Sequence, residues 1–301
     1  MASHDLQESN KFRHDASLPF ERKRLLSLAY GYLGSLVEAE DIVQEALLRF
    51  EQSDHASIQN IEAWLTTVVT RLSIDKLRSA QHRREFYPGE WLPEPVFRAP
   101  TPEQDAITRS RLSLGLLYLL DKLEPEQRAV FILREVFEHS YQSIGEIAGK
   151  SEAACRQLMV RARGALERAK RTPAASGKVA DSIVTRFIDA LARGDEQALL
   201  GIIAQDAVLV ADGGGKVPSV LNPLYGADRI ARFFLGLRRK YGNVFEVRPV
   251  TVNSGPGILT FRDGQLVSVA GVSIEDKQIT ALYSVNNPDK IHPELVVPNQ
   301  E

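Results

Sequence analysis

Five prolines, Pro88, Pro93, Pro95, Pro100 and Pro102, crowd one short segment of the chain. Proline has no backbone N–H and a fixed φ, so neither a helix nor a central strand can run through such a segment. The 301-residue chain is therefore cut near its first third, and what lies on either side must bury its own apolar surface. We read 18–86 as a first helical domain, 87–110 as a Pro-rich linker and 111–171 as a second helical domain. The stretch Thr172 to Gly177 (TPAASG) is small and polar, so 172–178 reads as a second linker. Beyond it the apolar spacing shortens toward the period of strands, and 179–291 reads as an α+β domain. Residues 1–17 and 292–301 are read as a flexible N-terminus and a tail. The expected fold class is multidomain: two all-α domains and one α+β cone.

The net charge of −2 argues at first against a nucleic-acid binder, but DNA responds to local charge. The single cysteine, Cys155, excludes a disulfide framework and a multi-cysteine zinc site, and we expect no metal and no cofactor. Met1 to Asn10 is polar, unlike a secretory signal, and no stretch approaches the ~18 apolar residues of a membrane span. A cytoplasmic protein without membrane contact is expected.

In the first helical domain, Leu25, Leu28, Ala29, Tyr32 and Leu33 keep helical spacing. After Gly34 and Ser35 a second helix runs over Glu38 to Phe50, with Ile42, Val43, Ala46, Leu47 and Phe50 inward. Asp41, Gln44, Glu45 and Leu48 lie on its other face. A third helix, Ile61 to Arg84, carries Arg71, Lys76, Arg78, Arg83 and Arg84 against one acid, Asp75. Such a helix suits a phosphate backbone, because clustered cations release counterions on binding. A solvated basic face reads equally well from this segment alone.

The second helical domain holds the most informative spacing. Leu123-Glu-Pro-Glu-Gln opens a helix with Pro125 in its first turn. A short helix over Ser140 to Gly149, a tight turn at Gly149-Lys150-Ser151 and a long helix from Glu152 to about Arg171 make a helix-turn-helix pattern. Ser151 suits the N-cap of the long helix. Ala154, Cys155, Leu158, Ala162, Ala165, Leu166 and Ala169 point inward; Arg156, Gln157, Arg161 and Arg163 point outward. Arg and Gln on that face can reach base edges in a major groove while neighbouring Arg hold phosphates. An amphipathic basic helix docking on a partner protein is the competing reading. The inward Cys155 reads as core rather than as a redox sensor.

At these residues the chain resembles a known family. AEDIVQEALLRF (Ala39 to Phe50) is similar to the polymerase-binding helix of region 2 in sigma-70-type RNA polymerase factors. AWLTTVVTRLSIDKLRS (Ala63 to Ser79) resembles the segment that reads and melts the −10 promoter element, and Leu123 to Leu166 resembles region 4, which reads the −35 element. Regions 1 and 3 have no counterpart, as in extracytoplasmic-function sigma factors. The resemblance implies that Asp41, Gln44 and Glu45 contact the β′ clamp helices of core polymerase and that region 4 meets the β flap. It places Arg71, Asp75 and Arg78 in the −10 helix, and Gln59 and Asn60 in the loop that captures an unpaired base. It assigns Arg156, Gln157 and Arg161 to −35 reading, with Ser151 and Arg163 joining the DNA-facing set. WLPEP (Trp91, Leu92 and Pro93 leading to Pro95), DGGGK (Asp212, Gly213, Gly214 and Lys216 among them) and NPDKI (Asn286 to Ile291, with Pro288, Asp289 and Lys290) resemble marks of the SigJ-like subgroup. Ile291 stands where that subgroup usually has Leu. Its members carry a fused SnoaL-like domain, implied to modulate the sigma factor in cis.

Read physically, the third domain has amphipathic helices over Val179 to Arg193, Ala198 to Ile203 and Gly226 to Tyr241. Strand-like runs cover Asp206 to Ala211, Val244 to Val252, Gly257 to Arg262, Gln265 to Ala270 and Ile279 to Val285. This suggests helices followed by an antiparallel meander. No histidine lies between Val179 and Ile291, and Asp206, Asp212 and Tyr283 are the remaining acid–base candidates. We therefore expect no enzyme; a cavity for a small ligand, or a protein partner, stays open. DGGGK lacks P-loop spacing, and we expect it to meet the helical domains or the linker, together with Trp91 to Pro95 and Asn286 to Ile291. The expected function is a promoter-directing sigma factor bound to core polymerase and promoter DNA. The alternatives are a ligand-responsive helix-turn-helix regulator and a SnoaL-type enzyme fused to a DNA-binding module.

Overall fold

The computed structural model describes residues 21–84, 86–97, 111–168, 178–242 and 244–291. The N-terminal segment and the tail, the linker residues 98–110 and 172–177, and residues 169–171 lie outside the described residues, as do the side chains of Arg83 and Arg84.

Local chemistry sets the helical boundaries. Helix α1 (residues 21–33) stops at Gly34, whose φ of 67° places it in the left-handed region that ends helices. Ser35 then caps α2 (Leu36–Glu51), accepting from the Glu38 N–H. Asn60 Oδ1 accepts from the Ala63 N–H and so caps α3 (Ile61–Arg84). Ser113 caps α4 (Leu114–Leu120), and Pro125 opens α5 (Pro125–Phe131), where its missing N–H costs nothing. A π turn over Ile132–Val136 follows.

The helix-turn-helix starts and turns where expected, and the expected end of its long helix near Arg171 lies outside the described residues: α6 (Tyr141–Ala148) is capped by Ser140 and closed by Gly149 at φ 65°. Ser151 Oγ accepts from the Ala154 N–H at the start of α7 (Glu152–Arg168). A second glycine closes the motif. A Cβ on Gly145 would sit 2.7 Å from the Lys150 carbonyl, so only a residue without a side chain lets the turn fold back this tightly. Cys155, Met159 and Ala162 of α7 are buried in a core shared with α1, α2, α3, α5 and α6.

The third domain begins with α8 (Lys178–Arg193) and α9 (Glu196–Ile202), then β1 (Ile203–Asp212), β2 (Leu224–Tyr225) and α10 (Ala227–Tyr241). Strands β3 (Phe245–Val252), β4 (Gly255–Arg262), β5 (Gln265–Glu275) and β6 (Gln278–Val285) form the expected antiparallel meander. Asp263 and Gly264, both at positive φ, make the tight β4–β5 turn. The sheet order is β2-β1-β6-β5-β4-β3, and β1 joins β6 in parallel, not antiparallel as a pure meander would have it. Helix α10 lies between β2 and β3 and takes the chain from the β2 edge of the sheet to the β3 edge, from which the meander returns to place β6 beside β1.

Each sheet face has its own core. Ile183, Val184, Phe187 and Ile230 from the helices cover one face, against Leu209, Ile258, Val272 and Leu282. The other face carries Val208, Val210, Leu259, Phe261, Val269 and Tyr283, and it is covered by Leu92, Phe97, Leu114, Tyr118 and Leu119. These come from the Pro-rich segment and from α4. The prolines do end the helices, yet residues 87–97 are not a free spacer: Leu92, Glu94, Val96 and Phe97 are buried, and Phe97 bridges to Val252 of β3. We call this segment the strap.

Candidate functional site

Two surfaces and one buried node bring the candidate residues together. The first surface is the outer face of α2, where Asp41, Gln44 and Glu45 are exposed with Val37 and Leu48. Two exposed apolar side chains flanking a carboxylate and an amide suit a protein partner more than bulk water. Glu45 is steadied by an i,i+4 pair with Arg49 at 2.8 Å.

The second surface is basic. Arg156, Gln157, Val160 and Arg161 line an open hollow on the outward face of α7, with Val160 72% exposed. Ser151 sits exposed at the N-terminus of this helix, and Arg163 pairs with Glu135 at 2.6 Å. On the first helical domain, Arg71, Asp75 and Arg78 are exposed along α3, and Gln59 and Asn60 lie exposed in the loop before it. Beside that loop His55 stacks on Phe50 at 4.4 Å, and Phe50 meets Trp64 at 5.8 Å. His55 gave no periodic signal in the sequence, since it lies in a three-residue turn.

These surfaces are not all free. Arg71, Ile74, Asp75 and Arg78 face Glu126, Ala148 and Lys150 of the second helical domain across a cleft of about 290 Å³. Arg78 Nη2 bridges it to the Glu126 carboxylate at 2.6 Å, which holds the Glu126 carboxyl below its ordinary range. Arg128 of α5 is fully buried; its Nε and Nη2 donate to the Gly31 carbonyl at 3.3 and 3.2 Å, and its Nη1 to Asp121 at 3.1 Å. Gly31 lies in the last turn of α1, where carbonyls lack helical partners, so Arg128 supplies both a bond and a countercharge to the helix dipole. Burial pushes the Arg128 guanidinium down to about 9.

The node gathers all three motifs. Asp212 ends β1 and is buried; its Oδ1 accepts from the Tyr87 hydroxyl at 2.6 Å and the Gly214 N–H at 2.9 Å. Its Oδ2 accepts from the Leu92 N–H at 2.9 Å and from Lys290 Nζ at 2.7 Å. Four bonds fill the capacity of a carboxylate. The Asp212 carbonyl accepts two more, from the N–H groups of Asn286 and Asn287 at 2.7 and 2.9 Å. Lys290 Nζ also donates to the Leu92 carbonyl at 2.6 Å and lies 4.2 Å from the Trp91 ring centroid. The Tyr87 hydroxyl, accepting from Asn287 Nδ2 at 2.9 Å, is raised above the ordinary phenol range by burial and by Asp212. The glycines are required: a Cβ on Gly214 would fall 2.3 Å from Asn287 Nδ2, and one on Gly213 would fall 2.6 Å from the Ser219 Cβ. Lys216 pairs with Asp289 at the exposed rim, beside exposed Pro288. Pro93 and Trp91 pack on Gly34, between α1 and α2.

From the strap the node reaches the first helical domain. Glu94 Oε1 accepts from Ser35 Oγ at 2.7 Å and Oε2 from the Leu36 N–H at 2.6 Å, so a strap carboxylate caps α2. The Tyr30 hydroxyl donates to the Glu94 carbonyl at 2.6 Å and accepts from Asn253 Nδ2 at 2.7 Å. Asn253 also exchanges bonds with the Val96 backbone. Tyr87, Glu94, Asn253 and Tyr30 were not singled out from the sequence, because their partners are distant along the chain. The acid–base candidates are placed as follows: Asp206 is exposed, Asp212 is saturated with hydrogen bonds, and Tyr283 is 1% exposed beneath α4.

Residues 21–83 match sigma-70 region 2, and residues 113–166 match sigma-70 region 4. The chain is similar to the ECF RNA polymerase sigma factor SigJ of Mycobacterium tuberculosis, 36% identical over 89% of this chain and 90% of the relative. It is also similar to the probable ECF RNA polymerase sigma factor SigI of the same organism, 31% identical over 90% of this chain and 92% of the relative. Among solved structures, that of the M. tuberculosis extracytoplasmic function sigma factor SigJ superposes with a TM-score of 0.77 at 32% identity, covering 91% of this chain and 97% of that one. Among the described residues, no helix is long and apolar enough to cross a membrane.

Proposed function

This chain belongs to the ECF RNA polymerase sigma factors, and from that premise we propose that its third domain governs promoter engagement through the strap. The observation that carries this reading is the node: one buried carboxylate, Asp212, holds Tyr87, Leu92 and Lys290 together at 2.6 to 2.9 Å.

A sigma factor binds core polymerase and carries it to promoters. The exposed α2 face of Asp41, Gln44 and Glu45 is the polymerase contact, on the β′ clamp, and the second helical domain meets the β flap. Arg71, Asp75 and Arg78 engage the −10 element, with the exposed Gln59 and Asn60 at the unpaired base; flipping a base costs a few kcal/mol, which contacts to the extruded base offset. Arg156, Gln157 and Arg161 read the −35 element, flanked by Ser151 and Arg163. A protein with this work acts in the cytoplasm, where polymerase and promoter are.

In the arrangement seen here, Arg78 is neutralised by Glu126 and the −10 face looks into the cleft. The strap, held by Asp212 and Lys290, fixes Glu94 on the N-terminus of α2. The third domain thus clamps the two helical domains in a closed arrangement. Release of the strap removes one of the ties between them, beside the shared core and the Arg128–Gly31 bond, and so eases the opening that frees Arg78 and the α3 face for DNA. We read this domain as regulatory rather than catalytic, because Asp212 is committed to structure and Tyr283 is sealed beneath α4.

The test is co-purification with core polymerase followed by promoter-specific transcription in vitro. The full chain is expected to bind core and start transcripts at one promoter class, and an Asp41→Lys, Gln44→Lys pair to abolish binding. A chain that binds its DNA without polymerase, and whose activity is indifferent to the α2 face, supports a helix-turn-helix regulator instead.

A further inference from the structure

The arginines on the outward face of α7 are long, and a free arginine samples many rotamers. A bidentate contact to a guanine edge requires its planar fork to be aimed, and a long arginine side chain loses rotamer freedom in being aimed. Anything that restricts Arg156 before DNA arrives makes the aimed geometry cheaper to reach.

The structure supplies such a brace. The Arg156 guanidinium lies 4.6 Å from the ring centroid of Tyr141, the first residue of α6. It also bonds to the Glu152 carboxylate one turn back on its own helix. The same Tyr141 ring carries the Arg134 guanidinium at 4.9 Å. Arg134 is itself tied down, donating from Nη1 to the His139 carbonyl at 2.8 Å. The order of support runs from backbone carbonyl to Arg134, to the Tyr141 ring, to Arg156. Arg163 has a separate support in Glu135, so the brace on Arg156 is its own.

We propose that Tyr141 is a positioning residue for promoter reading: its ring face holds the Arg156 guanidinium in the orientation that contacts one base pair of the −35 element. The contribution is the ring, not the hydroxyl. The proposal rests on α7 being the −35 helix.

The experiment uses full-chain protein assembled with core polymerase, on a promoter recovered from a randomised library. Each −35 base pair is then replaced in turn, and binding is measured for the unaltered chain and for Arg156→Ala, Tyr141→Phe and Tyr141→Leu. Arg156→Ala should erase discrimination at one base pair. Tyr141→Leu should weaken discrimination at that same pair by about two- to five-fold, the scale of an exposed cation–π contact, and leave the salt dependence unchanged. Tyr141→Phe should match the unaltered chain. Glu152→Gln, which removes the other half of the brace, should act in the same direction as Tyr141→Leu. The proposal is overturned if Tyr141→Leu keeps full discrimination, if it weakens all base pairs equally, or if Tyr141→Phe loses as much as Tyr141→Leu. If Arg156→Ala changes nothing at any base pair, the −35 reading of α7 falls, and the proposal falls with it.

Discussion

The Asp212 carboxylate and the Lys290 ammonium lie 2.7 Å apart, with the Asp212 side chain fully buried and that of Lys290 10% exposed. A buried pair is a poor source of net stability, because desolvation offsets most of its attraction. Its consequence lies elsewhere: removing one partner strands the other charge. This makes the pair a device that holds the strap in one place or not at all.

Substituting Asp212 by Ala should therefore cost about 3–5 kcal/mol, the scale for breaking a buried pair, and should loosen the strap. Hydrogen exchange at Leu92 and Val96 and proteolysis between residues 87 and 97 would report it. Unaltered protection there would contradict the role given to Asp212.

Gly145→Ala tests the helix-turn-helix turn. The new methyl would meet the Lys150 carbonyl at 2.7 Å, so backbone must move. Overpacking of this kind costs about 1–3 kcal/mol. Thermal unfolding should shift down and DNA binding should weaken. Gly164→Ala on the same domain, where a Cβ meets nothing, is the control: inside a helix it should not lower the unfolding temperature, and can raise it, and should leave DNA binding unchanged.

Glu126→Gln tests the cleft. It keeps the shape but removes the charge that occupies Arg78. Promoter-specific transcription at limiting polymerase should rise, by a factor of about two to three, as expected for an exposed ion pair. A fall, with no loss of folded protein, would place Glu126 among the DNA-engaging groups instead.

His139 gives a pH dependence. Burial, and then the Arg24 charge, lower its pKa from the ordinary 6.5. The unfolded chain therefore binds a proton that the folded chain resists. The stability tied to this group is intact above pH 6.5 and is lost as pH falls through the lowered value. Unfolding temperatures at pH 7.5 and 5.5 should differ less in His139→Gln than in the unaltered chain. An equal difference would assign the acid sensitivity to other groups.

The parts of this account that were legible in the sequence are local ones. Ser140, Gly149 and Ser151 fix the helix-turn-helix within a dozen residues, and caps and left-handed glycines act through their immediate neighbours. The convergence of WLPEP, DGGGK and NPDKI was expected because all three avoid the periodic core. Their chemistry was not legible, since Tyr87 and Asp212 are 125 residues apart and Val96 and Asn253 are 157 apart. The strap looked like a linker because prolines exclude helix but do not forbid burial. The parallel β1–β6 pair also escaped, because strand patterning records which face is buried and not the direction of the partner.

The most direct test is promoter-specific transcription in vitro by core polymerase supplied with the full chain or with Lys290→Met at equal concentration. Methionine keeps the apolar stem of Lys290 and removes its bonds to Asp212 and the Leu92 carbonyl. The account predicts the same start site from both proteins and several-fold more transcript from Lys290→Met, because the strap is released and Arg78 is freed. Equal transcript from both, with the strap released in Lys290→Met by proteolysis, would contradict control of promoter engagement through this node.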